Sequence, residues 1–140
     1  MSIRYARQEA LWGEEGQRKL SDAHVAVIGA GGLGSPALLY LAGAGVGRIS
    51  LFDDDVVSPS NLHRQVIHNT EAIGTPKTDS AAAAIRALNP EVDITCHGRL
   101  KSATAIEQLR GCDLILDGTD NFDARYLSSW AAHELGIPHV

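Results

Sequence analysis

Short apolar runs alternate with stretches of helical periodicity along nearly the whole chain, the pattern of a parallel sheet covered by helices. The runs predict strands at His24 to Ile28, Arg48 to Phe52, Val92 to His97 and Asp113 to Leu116, with a fifth beginning near Pro138. A crossover helix is expected from about Leu33 to Ala44, with Pro36 in its first turn, where a missing N–H costs nothing. Ala81, Ala84, Ile85 and Leu88 lie at helical spacing and give the next helix one apolar face, which Asn89-Pro90 ends. A last helix should run from about Phe122 to Leu135, stopped by Gly136 with Pro138 beyond. Before the first strand, Glu14 to Leu20 can form a short helix. The expected fold class is α/β: a Rossmann-like, doubly wound, mainly parallel sheet of order 3-2-1-4-5 with helices on both faces. Residues 1–22 read as an N-terminal helical arm and residues 23–140 as a nucleotide-binding domain.

Length and charge narrow this picture. The 140 residues are about one domain's worth. A net charge of −5 excludes a surface that as a whole attracts nucleic acid or anionic lipid, so any anion site must be local. Cys96 and Cys112 form no CxxC, which leaves a disulfide scaffold and a Cys-rich zinc site unsupported; both are expected in the core. The start, Met-Ser-Ile-Arg-Tyr-Ala-Arg-Gln, lacks the apolar run of a secretory signal, and a cytoplasmic setting is expected. Val25 to Gly47 is uncharged and about long enough to cross a bilayer. Its seven glycines and Ser35-Pro36 read instead as a buried strand, a tight turn and a helix, so no membrane partner is expected.

Gly29-Ala30-Gly31-Gly32-Leu33-Gly34 fits GxGxxG between a predicted strand and a predicted helix. In that setting glycines let backbone N–H groups approach phosphate at a helix N-terminus. Asp53 ends the next strand, where a carboxylate can accept bonds from ribose hydroxyls. Together they read as a nucleotide site. The plainer reading is that the glycines serve only helix-to-sheet packing and that Asp53 to Asp55 are solvated loop acids. The motif leaves NAD and ATP both open. No GxxxxGKS/T occurs, so an ATP here is not held by a Walker-type cradle.

Arg64 and Lys77 follow the ribose-type acid, where a dinucleotide oxidoreductase has no general need for two cations and a triphosphate does. Thr75 is expected as an N-cap and Pro76 as the first helical residue, which puts Lys77 where the helix dipole is already positive. A lysine and a helix N-terminus aimed at one phosphate would remove that conflict. The competing reading is a solvated surface lysine that loses only about 0.3–1 kcal/mol to the dipole. Asp117-Gly118-Thr119-Asp120-Asn121 follows the fourth strand, and the loops after the first and fourth strands flank the ligand crevice of such a sheet. Asp120 is expected to meet a Mg²⁺ carried by the phosphates, to cap the following helix, or to do both at once.

Further blocks stand in order around these: Arg4-Tyr5-Ala6-Arg7-Gln8, Gly13-Glu14-Glu15-Gly16-Gln17, Asp53-Asp54-Asp55-Val56, Ser60-Asn61-Leu62-His63-Arg64-Gln65, Gly74-Thr75-Pro76-Lys77, Asn89-Pro90 and Thr119-Asp120-Asn121-Phe122. With them the sequence resembles the ThiF/MoeB/HesA family of ubiquitin-activating-enzyme-like adenylyltransferases, over almost its whole length. By that resemblance Gly29, Gly31, Gly32 and Gly34, with Asp53, Asn61, Arg64, Gln65 and Lys77, hold ATP, and Asp120 helps position Mg²⁺. Arg64, Lys77 and Asp120 would then act in catalysis. Arg7 would reach the nucleotide of the other subunit, which implies a homodimer.

The reaction implied is adenylation of the C-terminal glycine carboxylate of a ubiquitin-like sulfur-carrier protein ending in Gly-Gly, with release of pyrophosphate, in thiamin or molybdopterin type sulfur transfer. Such a carboxylate, with a pKa of about 3.3–3.7, is already a nucleophile at pH 7 and needs no general base. The remaining work is alignment and charge neutralisation by Arg, Lys and Mg²⁺. Family members continue past the counterpart of Val140 into the rest of the sheet, a carrier-binding region and often two CxxC zinc pairs. By comparison this sheet is expected to be incomplete on its C-terminal side, and no zinc ligands of that kind are present. Two alternatives stay open: a tRNA-modifying dehydratase relative, against which the acidic balance counts, and a non-catalytic nucleotide-binding or partner module. An NAD oxidoreductase is the generic fallback.

Overall fold

The computed structural model describes residues 3–140. Its strands fall where the apolar runs put them: β1 (His24–Ile28), β2 (Arg48–Phe52), β3 (Asp93–His97) and β4 (Leu114–Asp117). They pair in parallel in the order β3-β2-β1-β4. The fifth strand is reduced to one parallel bridge between Ile115 and His139. Ile115 N–H donates to Pro138 O and Val140 N–H to Ile115 O, both at 2.9 Å, so residues 138–140 occupy the expected place beyond β4.

The helices are α1 (Ala6–Asp22), α2 (Gly34–Ala44), α3 (Lys77–Leu88), α4 (Ala105–Leu109) and α5 (Phe122–Leu135). Successive β1 residues face opposite layers, as the strand period requires. Val25 and Val27 join Leu38, Ala42 and Ile85 of α2 and α3, while Ala26 and Ile28 join Leu109, Ala131 and Ala132 of α4 and α5. The sheet is therefore covered on both sides, as the sequence pattern implied.

Three expectations need correction. The first helix runs from Ala6 to Asp22 rather than from Glu14 to Leu20, with one break at Gly13 where φ is +74°. The residues it buries are polar, Glu9 and Gln17, while Leu11 and Trp12 stay exposed, so burial does not follow its apolar positions. Thr75 is not an N-cap, and α3 starts one residue later than expected. Thr75 O instead accepts from Val57 N–H (2.9 Å) while its hydroxyl donates to Ala72 O (2.7 Å), and Pro76 stands at the cap. Cys112 is buried as expected but Cys96 is exposed, because β3 is the edge strand; its thiol donates to Thr78 O at 3.4 Å.

The N-terminal segment is welded to the amino ends of the strands by buried amides. Gln8 and Gln17 both donate to Ala44 O, at 2.6 and 2.9 Å. Asn89, fully buried after α3, donates to Ala42 O and to the Tyr5 hydroxyl, each at 2.8 Å. The hydroxyl in turn donates to Glu91 at 2.6 Å. Among the described residues no helix is long and apolar enough to cross a membrane.

Candidate nucleotide site

At the carboxyl ends of the strands the loops after β1, β2, β3 and β4 surround a cleft of about 920 Å³. It lies in the crevice where doubly wound sheets bind ligands. Gly29, Gly31, Gly32, Asp53, Arg64, Gln65, Lys77 and Asp120 all line it. Gly34, Asn61 and Arg7 do not.

Gly34 has a structural task. A Cβ built on it would lie 1.9 Å from Gly29 O, so only glycine lets α2 start against the end of β1. That contact leaves Gly31 and Gly32 at the cleft, with backbone N–H groups that no carbonyl among the described residues accepts from. Asp53 fixes the same loop from β2: Oδ2 accepts from Ala30 N–H (2.9 Å) and Oδ1 from Asp55 N–H (2.8 Å). Each carboxylate oxygen keeps a second lone pair for another donor.

Lys77 is brought in by a short ribbon. Residues 55–57 pair antiparallel with 74–77, through the Val56–Pro76 bridge and the bond from Lys77 N–H to Asp55 O. The lysine side chain is only 7% exposed, so it is not a solvated surface lysine, and its ammonium pairs with Asp55 at 3.3 Å. That carboxylate relieves part of the conflict with the helix dipole. The Asp55 carboxyl is held below its ordinary value chiefly by the Val56 N–H, against some burial, and then by Lys77.

Arg64 and Gln65 come from the loop that follows β2. Asn61 shapes that loop rather than facing the cleft: its side-chain oxygen accepts from Ser58 N–H (3.2 Å), and its carbonyl accepts from Arg64 and Gln65 N–H. Arg64 lies against Gly32, donating to Ser60 O at 3.3 Å. Gln65 is buried, and its Oε1 has no hydrogen-bond partner. The side chain lies beside Gly31 with one acceptor unspent.

Asp120 is exposed at the mouth and makes no hydrogen bond or ion pair among the described residues. It does not cap α5; Asn121 does, accepting from Ala124 N–H at 2.9 Å. No cluster of three or more His, Cys, Asp or Glu among the described residues could hold a metal unaided. Asp120 does fit Mg²⁺ arriving on phosphates, which needs only one or two carboxylates from the protein.

Several cleft residues escaped the sequence reading. Arg99, after β3, pairs with Asp54 at 3.0 Å, and Arg125 in α5 donates twice to Thr119 O, pinning the loop that carries Asp120. Beneath the glycine loop His68 is buried between Ala30 O (2.9 Å) and the Ser80 hydroxyl (2.7 Å), tying α3 to that loop. Burial holds its pKa down; the Ala30 carbonyl opposes this and Lys77 adds to it. His68 stands three residues beyond the block that ends at Gln65, and that nearness was the available signal.

A family model described as ThiF matches residues 5–140. The chain belongs to the ThiF family. It is 50% identical over 140 residues to the probable adenylyltransferase/sulfurtransferase MoeZ of Mycobacterium tuberculosis, covering 98% of this chain and 36% of MoeZ. It is also 50% identical to the sulfur carrier protein adenylyltransferase of Thermus thermophilus, covering 98% of this chain and 52% of that one. Among solved structures it is similar to the E. coli tRNA N6-threonylcarbamoyladenosine dehydratase TcdA in complex with ATP, with a TM-score of 0.91, 30% identity, and coverage of 97% and 57%. This ThiF-family chain thus spans between about a third and a half of the curated relatives it matches.

Proposed function

We propose that this ThiF-family chain carries the ATP-binding part of an adenylyltransferase that activates the C-terminal glycine carboxylate of a ubiquitin-like sulfur-carrier protein. The observation that carries the reading is the convergence of Arg64, Lys77, the glycine loop and Asp53 on one cleft at the carboxyl edge of the sheet. Relatives at 50% identity bear sulfur-carrier and adenylyltransferase names, and a solved neighbour holds ATP.

In this reading Asp53 holds the ribose hydroxyls and the N–H groups of Gly31 and Gly32 meet phosphate oxygens. Gln65 accepts from the nucleotide with its orphaned oxygen. Lys77, whose ammonium has three donors and spends one on Asp55, and Arg64 neutralise charge on the α-phosphate and the departing pyrophosphate. Asp120 would hold Mg²⁺, which when bound supplies further neutralisation of phosphate charge. Gly34 and Asn61 act by shaping the loops. The carrier carboxylate attacks the α-phosphorus directly, and pyrophosphate leaves.

Residues 1–22 form the arm and 23–140 the nucleotide-binding domain. Arg7 lies outside the cleft of its own chain and serves the site of a second copy in a homodimer. A cytoplasmic setting, with thiamin or molybdopterin type sulfur transfer, completes the proposal. The test is carrier-dependent exchange of labelled pyrophosphate into ATP. Exchange that requires a Gly-Gly-terminated carrier supports the reading. Exchange driven instead by tRNA would favour the dehydratase alternative, which the neighbouring TcdA structures keep in view. ATP binding without exchange under either condition would favour a non-catalytic module.

A further inference from the structure

In a trans peptide the C=O and N–H groups share one plane and point in opposite directions, so a carbonyl held on one side aims the N–H to the other. The cleft amides of Gly31 and Gly32 each share such a plane with a held carbonyl. Gly31 O accepts from Ser35 N–H of α2 at 2.9 Å, which fixes the plane carrying the Gly32 N–H. Ala30 O receives no backbone N–H among the described residues. It accepts instead from Nε2–H of His68 at 2.9 Å, and this bond fixes the plane carrying the Gly31 N–H. Asp53 holds the plane before that one, through Ala30 N–H. The start of a helix therefore sets one cleft amide, and a side chain sets the other.

His68 is only 6% exposed and does not line the cleft, so it can act on a ligand only through the loop. A carbonyl can only accept, which places the ring hydrogen on Nε2 and leaves Nδ1 to accept from the Ser80 hydroxyl at 2.7 Å. Burial favours the neutral ring that this arrangement uses. Ser80 stands one turn beyond Lys77 on α3. We infer that His68 is a positioning residue for the nucleotide: by holding the Ala30 carbonyl inside the fold it aims the Gly31 N–H at a phosphate, and through Ser80 it ties that aim to the helix that delivers Lys77. The inference rests on the reading of the cleft as an ATP site and adds what orients one of its amides.

The test is a titration of the 140-residue chain with ATP and Mg²⁺, followed by calorimetry and by the amide chemical shifts of Gly31 and Gly32. In the parent chain ATP should shift both amides. His68→Leu should bind ATP about tenfold more weakly, the order of one hydrogen bond lost, and at saturation should keep the Gly32 shift while losing that of Gly31. His68→Gln keeps an N–H near the place of Nε2 and should restore both the affinity and the Gly31 shift. The inference is overturned if His68→Leu binds ATP as tightly as the parent, or if it loses the Gly31 and Gly32 shifts together, the mark of a residue that only packs. It is also overturned if His68→Gln fails to restore the Gly31 shift. Where His68→Leu does not fold, Ser80→Ala decides: a Gly31 shift reduced relative to that of Gly32 supports the inference, and an unchanged ratio overturns it. ATP that binds the parent and moves other cleft amides but not Gly31 overturns the inference and leaves the ATP site standing. ATP that moves no amide at any concentration removes the ATP site itself, and the inference with it.

Discussion

Replacing Lys77 by methionine separates what the lysine does for the fold from what it does for a nucleotide. Its side chain is 7% exposed and its partner Asp55 is 66% exposed, 3.3 Å away. Two unit charges at that distance attract by about 5 kcal/mol at an effective dielectric constant near 20. Water around Asp55 screens most of this, and pairs with an exposed member are worth about 0–1 kcal/mol. Removing the ammonium from water costs several kcal/mol, so the pair does little more than break even. Methionine fills a similar volume without that cost and leaves Asp55 in solvent. The melting temperature of Lys77→Met should therefore stay the same or rise by a few degrees, within the gain of about 1–4 kcal/mol seen when buried ions are replaced by apolar groups. Affinity for ATP should fall about 10- to 150-fold, the equivalent of a charge-assisted hydrogen bond of about 1.5–3 kcal/mol. Thermal melts followed by circular dichroism and calorimetry with ATP read the two effects separately. A melting temperature lowered by more than about 10 °C, a loss of several kcal/mol, with affinity kept would show that Lys77 serves the fold and would refute the reasoning.

Gly34→Ala should destabilise by about 1–3 kcal/mol or more, because its Cβ would meet Gly29 O at 1.9 Å; the melting temperature should drop by several degrees and ATP affinity should fall with it. For His68 the folded-state pKa lies below the ordinary value, so unfolded chains take up the proton first. Its stability contribution is complete above about pH 6.5 and is lost as pH falls through the folded value. Denaturant melts between about pH 7 and pH 5 should thus show falling stability, with a shallower slope in His68→Gln. Arg7→Ala should retain ATP binding and lose carrier-dependent pyrophosphate exchange, whereas exchange at the parent rate would remove Arg7 from the reaction.

The strands were legible because buried parallel strands are continuous apolar runs, and β1 and β2 fall on the residues the runs mark. The glycine loop and Asp53 were legible because a tight turn from strand to helix requires glycine at set positions and Asp53 follows the next strand, which leaves a spacing in the sequence. The long α1 was not, since it docks through the amides of Gln8 and Gln17 while its large apolar residues Leu11 and Trp12 stay exposed. Nor was the ribbon that delivers Lys77: its bonds run between residues about twenty positions apart, and no local propensity records them. Arg99 and Arg125 carry no spacing signal and become cleft residues only through the order of the strands.

That strand order also divides the blocks that carry the family resemblance into two jobs. Gly29 to Gly34, Asp53, Arg64 with Gln65, Lys77 and Asp120 gather at or under the carboxyl edge, where the loops after adjacent strands converge. Tyr5, Gln17 and Asn89 gather at the opposite edge, where they satisfy the carbonyls that end α2 and bind α1 to the sheet. Asn61 and Gly34 belong by sequence to the first group yet do not line the cleft: the Asn61 side chain holds its own loop and Gly34 gives α2 its close approach to β1. A motif position in this fold is therefore no guide to ligand contact until its end of the sheet and the direction of its side chain are known. The same reasoning makes Arg7 informative: it lies on the helix that the second group fixes in place, outside its own chain's cleft, so a part in catalysis requires a second copy to bring the two together.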